Sequence, residues 1–269
     1  MLIDTHCHLD AAEFDADRAS VIQRAIDAGV EAIVIPAVAV GNFQVVQSLA
    51  STVPGGAYAL GIHPMYVPQA CDGDLERLDQ ALSDACSDPR LVAVGEIGLD
   101  FFVPALCEPA MRARQQHFYD AQLDLALKYQ LPALLHVRRS QDLVLRSLRR
   151  RDRIGGIAHA FNGSFQQAGH FIDLGFALGM GGAMTFSRAL QIRRLAAELP
   201  LESLVLETDA PDLAPAWLGQ PGQAPARNEP AQLAGIAQSL AQLRQVSLDV
   251  VAGQTAQNAW RVVPRLKPV

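Results

Sequence analysis

Short apolar runs alternate with longer amphipathic stretches from one end of the chain to the other, the pattern of repeated βα units around a parallel sheet. Eight runs read as strands: Leu2–Asp4, Val30–Pro36, Ala57–Ile62, Leu91–Gly95, Pro132–Leu135, Ile154–Ala158, Phe176–Leu178 and Leu204–Leu206. Between them the period lengthens. It is clearest over Met111–Gln130, where Phe118, Ala121, Leu125 and Tyr129 recur at three- and four-residue steps, predicting a helix. Eight strands with intervening helices in 269 residues predict an α/β fold of the (β/α)₈ TIM-barrel type, whose usual size is about 250 residues. No Pro/Gly/Ser-rich linker divides the chain, so one domain over 1–269 is expected. The widest loop, Pro211 to Pro230, holds five prolines and is placed to cover one mouth of the barrel.

Polar residues at the ends of these runs carry the chemistry. His6, His8, His63, Glu96, His136, His159 and Asp209 each follow a predicted strand, so a parallel barrel gathers them at its C-terminal mouth, where such folds keep active sites. A bare H-x-H pair such as His6 and His8 is a weak motif, but two neutral imidazoles on one face make half a metal site. Convergence strengthens it. Five of seven histidines end strands, whereas His117 and His170 fall in helical stretches and read as ordinary helix residues. His6, His8, His136 and His159 are therefore expected to be ligands, with Glu96 able to bridge two ions and Asp209 able to bind one or take a proton from water. His63 is open between substrate contact, support behind the ligands, and a histidine satisfied within its own loop.

A net charge of −6 argues against a protein that grips nucleic acid or membrane by bulk positive charge. One local exception stands out: Arg138, Arg139, Arg146, Arg149, Arg150, Arg151 and Arg153 crowd a stretch offset only by Asp142 and Asp152. Arg146 through Arg153 read as a solvated helix face, while Arg138, two residues past His136, is the better anion contact. The lysines, Lys128 and Lys267, are not on strands, which disfavours a lysine-carbamate bridge or Schiff base. No phosphate-binding loop or dinucleotide fingerprint is present, so no nucleotide cofactor is expected. Cys7, Cys71, Cys86 and Cys107 form no paired motif, the N-terminus carries Asp4 where a signal peptide needs a basic start, and no apolar run reaches the ~20 residues of a membrane span. A cytoplasmic protein without membrane partners is expected. Oligomeric state is not legible, and a monomer is compatible.

Asp4-Thr5-His6-Cys7-His8-Leu9-Asp10, Gly61-Ile62-His63-Pro64, Gly95-Glu96-Ile97-Gly98-Leu99-Asp100, His136-Val137-Arg138, His159-Ala160-Phe161-Asn162-Gly163, Glu207-Thr208-Asp209-Ala210-Pro211 and Arg227-Asn228-Glu229-Pro230 together resemble the TatD family of metal-dependent deoxyribonucleases, within the amidohydrolase superfamily. The resemblance implies a binuclear divalent-metal site and hydrolysis of DNA phosphodiesters. It would place His6, His8, Glu96 and Asp209 around one ion, and Glu96, His136 and His159 around the other. The chain departs from the family pattern at Asn162, where Ser or Thr is more usual, and at Arg139-Ser140 after Arg138. Asp209 and Glu96 are then the catalytic candidates, His63, Arg138 and Arg227 the substrate contacts, and Glu207 a residue behind the ligands. Two cations, Zn, Mn, Mg, Fe or Co, would activate water toward DNA, single-stranded ends in preference, with RNA a further polymer of the same chemistry. Phe101, Phe102, Phe161 and Trp217 are stacking candidates, at least half of them core. The same ligands would equally serve a small-molecule amidohydrolase or lactonase. A barrel that binds metal without turnover is a third reading, at odds with the full set of ligand residues.

Overall fold

A computed structural model describes residues 1–151, 154–219 and 226–266. Asp152, Arg153, Lys267 and the middle of the proline-rich loop lie outside the described residues. Eight parallel strands follow one another in sequence order around a single sheet: β1 (Leu2–Asp4), β2 (Val30–Pro36), β3 (Gly56–Leu60), β4 (Leu91–Asp100), β5 (Ala133–Arg138), β6 (Gly156–Ala158), β7 (Phe176–Met180) and β8 (Leu204–Leu206). The sheet curls until its edges meet, where the Thr5 amide and hydroxyl both donate to the Leu206 carbonyl at 3.1 and 2.9 Å and the His8 amide donates to Ala210 at 2.8 Å. This is the (β/α)₈ barrel. Helices α1 (Arg18–Asp27), α2 (Phe43–Thr52), α3 (Gly73–Asp84), α4 (Pro109–Tyr129), α5 (Gln141–Leu148), α6 (Phe165–Asp173), α7 (Leu190–Glu198) and α8 (Leu233–Arg244) fill the crossovers and the outer ring, and α9 (Leu248–Val262) is the last α-helix among the described residues.

Three strands run further than hydrophobicity alone predicted, β7 by two residues to Met180 and two others by more. β4 continues past Gly95 to Asp100, and β5 reaches Arg138, because the polar residues stay paired: Gly98 opposes His136, and Asp100 opposes Arg138. Between Val94 and Ile97 the register slips by one residue, a bulge that contains Glu96. Gly95 in that bulge has no room for a side chain, since a Cβ would sit 2.6 Å from the Leu134 Cβ. β3 conversely stops at Leu60, so His63 lies on a loop beyond it, and β6 begins only at Gly156.

The lower end of the barrel is packed with small and branched apolar groups. Ile3, Val34, Ala59, Ala93, Leu134, Ile157, Ala177 and Val205 form a cluster that α9 closes with Ala256, Ala259 and Val262. Asn258 of α9 ties itself to the entry of β8 by donating to the Leu201 and Leu204 carbonyls, both at 2.7 Å. On the other side of the wall, α4 starts with Pro109 and ends at Gln130, whose φ of +54° stops the helix. Its buried face includes two glutamines that reach toward the upper mouth. Gln122 clasps Ile62 through both backbone groups (2.6 and 3.1 Å), and Gln115 accepts from the Asp100 amide at 2.9 Å.

Candidate metal centre

Glu96 is the hub. Its carboxylate is 1% exposed, and imidazole nitrogens crowd both oxygens. Oε1 lies 2.9 Å from His136 Nδ1, 2.9 Å from His159 Nε2 and 3.2 Å from His63 Nε2. Oε2 lies 3.1 Å from His6 Nε2 and 3.3 Å from His8 Nε2. Asp209 Oδ1 stands 3.7 Å from both the His6 and the His8 Nε2 atoms. The barrel thus joins β1, β4, β5, the loop after β3 and the turns after β6 and β8 at one point, and all six candidate ligands are there.

Backbone bonding fixes these side chains. The Glu96 amide donates to Ala37, His63 to Val38, His159 to Leu135 and Asp209 to His6, each at 2.9–3.0 Å. Asp209 takes a left-handed φ of +56°, and Ala160, directly after His159, one of +44°. Non-glycine residues in that region cost about 1–3 kcal/mol each, so packing must hold them there.

Three carboxylates complete the centre from behind. Asp100 Oδ2 is 3.0 Å from His136 Nε2, which leaves Nδ1 facing Glu96, and accepts from the Phe102 and Val103 amides through Oδ1. Burial alone would raise Asp100, but these partners, His136 foremost, hold it down at about 2. Asp4 accepts from the Thr208 hydroxyl at 2.6 Å, the Thr208 amide and the His6 amide, joining the first and last strands beneath His6 and Asp209. Glu207 accepts from the Ala160 amide and lies 3.8 Å from His159 Nδ1. It occupies space that Gly179 vacates, since a Cβ there would collide with its carboxyl. Burial pushes Asp4 up to about 7 and Glu207 to about 8.

Protons cannot satisfy this cluster evenly. Burial drives His6 down to about 3 and His63 to about 4. It works against charging His8 and His159 as well, but the Glu96 carboxylate prevails and carries them to about 9 and about 10. Glu96, in spite of its burial, is held well below the usual carboxylate range by the imidazoles, His63 foremost. Facing nitrogens lie close: His6 to His8 at 3.3 Å, His63 to His136 at 3.0 Å, and His159 to His136 at 3.4 Å. Each such pair can share at most one proton, and His6 Nδ1, His159 Nδ1 and Glu207 Oε2 are buried without a hydrogen-bond partner. Three sets, His6–His8–Asp209, His6–Glu96–His159 and His63–Glu96–His136, each bring ligand atoms within 4.8 Å of one another. Imidazole and carboxylate donors so arranged fit divalent transition-type cations.

His63 has a more specific role than sequence reasoning could assign. Its Nδ1 accepts from the Met65 amide at 3.1 Å, so in the neutral ring the proton sits on Nε2, which faces Glu96 and His136. Arg138 is 47% exposed at the rim, with its guanidinium 3.8 Å from Asp100 Oδ2 and stacked at 3.8 Å over Phe102. Arg227 is held elsewhere: both terminal nitrogens bond to Asp17 (2.7 and 2.8 Å), one also to the Glu13 carbonyl. Among the stacking candidates, Phe101 and Phe161 are buried, Trp217 donates to Gln232 and packs on Gly235 of α8, and Phe102 stands exposed beside Arg138. His117 and His170 lie in α4 and α6. Sequence reasoning passed over Asp4 and Asp100. A signal existed for each: Asp4 is a carboxylate inside a three-residue apolar strand, and Asp100 shares the alternating face of Glu96.

A parallel barrel whose mouth concentrates imidazoles and carboxylates around one buried bridging-type carboxylate defines a metal-dependent hydrolase. The chain belongs to the family of TatD-related DNases, whose model matches residues 3–264. A curated relative, the uncharacterized metal-dependent hydrolase YjjV of Escherichia coli K12, is 42% identical over 260 residues, covering 96% of each chain. Human deoxyribonuclease TATDN3 is 31% identical over 272 residues, covering 99% of this chain and 96% of its own. The crystal structure of YjjV superposes with a TM-score of 0.89 at 41% identity, over 98% of both chains. No helix among the described residues is long and apolar enough to cross a membrane.

Proposed function

We propose that the protein is a deoxyribonuclease that removes nucleotides from single-stranded DNA ends, working with two divalent cations. The observation that carries this reading is the Glu96 carboxylate, with the His6, His8 and Asp209 group on one oxygen's side and the His136 and His159 group on the other. In the proposal His6, His8, Glu96 and Asp209 hold one ion, and Glu96, His136 and His159 the other. Such cations supply positive charge that polarises a phosphoryl oxygen and acidifies water.

The chain's own residues do the rest. Asp209, raised by burial, is poised to accept a proton from attacking water, its carboxylate held over His6 and His8. Asp100 fixes the His136 ring so that Nδ1 points inward. His63 directs an N–H into the site, suited to a phosphate oxygen. Arg138, exposed beside His136, offers a planar guanidinium to the phosphate, whereas Arg227 could reach substrate only by leaving Asp17. Glu207 supports His159 and the turn at Ala160. Exposed guanidiniums at the rim favour an anionic substrate over a neutral lactone or amide. We further place the protein in a reducing cytoplasm, because all four cysteines are free.

The test is hydrolysis of an end-labelled single-stranded oligonucleotide under titration with Zn, Mn, Mg, Fe and Co, beside Asp209→Asn. A stepwise ladder that disappears with chelator and in the variant is expected. An intact oligonucleotide under every metal, from protein shown to hold metal, would overturn the reading.

A further inference from the structure

Several arginines of this protein are held by carboxylates, Arg194 by Glu198 among them, and others donate to backbone carbonyls. Arg18, Arg24, Arg77, Arg114, Arg151 and Arg227 each have a carboxylate within 4 Å. Arg90, Arg149 and Arg188 are also exposed without an ion pair among the described residues, but around the end of β4 such arginines gather. Arg112, Arg139, Arg146 and Arg150 are exposed and, among the described residues, have no ion-pair partner, and Arg138 has only the distant contact to Asp100. Of the neighbouring acids, Asp120 and Asp124 are engaged by Arg151 and Asp142 by the Gln167 amide, while Glu108 at the start of α4 makes no ion pair with Arg112.

These free guanidiniums form a path that starts at the metal centre. Asp100 holds His136, and the next residues, Phe101 and Phe102, carry the path outward. Phe102 lies beneath Arg138 and Arg139, whose guanidinium carbons sit 3.8 and 4.6 Å from its ring centre. Phe101 lies beneath Arg112 at 4.3 Å. It also lines a groove of about 340 Å³ between α4 and α5, flanked by Arg112, Arg146 and Arg150 and floored by the Gln116–Ser147 hydrogen bond of 2.7 Å. Contact with a ring face restrains three of the five guanidiniums, which lowers the entropy lost when each meets a phosphate. In a chain of net charge −6, this run of unpaired arginines leading away from the centre is a local positive patch, the electrostatic footprint that attracts an anionic chain.

We propose that this groove is the track for the sugar-phosphate backbone of the DNA strand beyond the nucleotide being cleaved, with Arg138 and Arg139 holding the phosphates near the centre and Arg112, Arg146 and Arg150 those further along. The proposal rests on the nuclease reading above and adds to it a defined strand path. The track reads charge along the backbone, so it is indifferent to sequence and sensitive to salt.

The experiment is fluorescence-anisotropy binding of labelled oligothymidylates of about 12 and about 3 nucleotides, in chelator, to wild type and to Arg112→Gln/Arg146→Gln/Arg150→Gln. All three positions are exposed, and circular dichroism checks the fold. Wild type is expected to bind the longer strand more tightly and with a steeper salt dependence. The triple variant should lose that advantage, its log–log salt slope falling by about 2, from roughly 0.7 per phosphate contact, while binding of the short strand is unchanged. A longer strand bound no more tightly than the short one by wild type, or equally well by the variant, overturns the track. Failure of the nuclease reading shows separately, as no cleavage of either strand by metal-loaded wild type.

Discussion

The two ends of the barrel solve opposite problems with the same eight strands. At the lower end, Ile3, Val34, Leu134, Ile157 and Val205 meet α9 in a cluster without a charge, and each buried aliphatic group contributes about 1.5–3 kcal/mol. At the upper end the interior is Asp4, His6, Glu96, His159 and Glu207, all nearly inaccessible to water, with left-handed backbone at Ala160 and Asp209 and three polar atoms lacking partners. One end stabilises; the other spends stability on a prearranged set of donors. Proximity of the two shows that a barrel keeps an unfavourable polar cluster in place by being well packed beneath it.

That contrast breaks most sharply if a substitution at one end produces the other end's phenotype. Asp209→Asn should lower kcat by about 10²–10⁴ while leaving the melting temperature near that of wild type. A variant that unfolds instead would show that the mouth also carries stability. Ile157→Ala at the lower end should do the reverse, losing about 2–5 kcal/mol in denaturant titration with activity per folded molecule retained. Asp100→Asn is expected to weaken metal binding by about 10–100-fold, because His136 loses the partner that sets its tautomer, and calorimetric metal titration reads it.

A further effect is a pH dependence. Glu207 is raised to about 8 by burial, against about 4.3 in an unfolded chain, so the folded protein binds a proton that the unfolded chain releases. Its contribution favours folding below pH ~4.3 and is lost as pH rises toward 8. Glu207→Gln keeps an acceptor for Ala160 and removes that loss. In chelator, the variant's melting temperature should gain on wild type between pH 5 and 8, and a constant difference would contradict the shift.

Much of this was legible in the chain. Leu2–Asp4, Val30–Pro36 and Leu204–Leu206 read correctly to the residue, the last because Ser203 and Glu207 bound it with sharp changes in polarity, and the histidines that converge at the mouth could be placed from strand order alone. The end of β4 could not. Hydrophobicity falls at Glu96, yet pairing to β5 continues to Asp100, since what holds a strand is its ladder and not its side chains. Arg227 illustrates the converse limit: its position in a family motif gave no hint of the bidentate pair with Asp17 on α1's approach. The tautomer of His63 also depends on a backbone amide two residues away, and no spacing rule encodes it.

Glu96 is the joint between the two halves of the centre, so metal content decides the account most directly. Wild type, loaded with Zn or Mn, desalted and assayed by elemental analysis, should retain about two ions per chain, the count of a two-metal hydrolytic site, and Glu96→Gln, folded by circular dichroism, should lose occupancy of both positions together. Full retention of both ions by Glu96→Gln would contradict the claim that this one carboxylate organises the site.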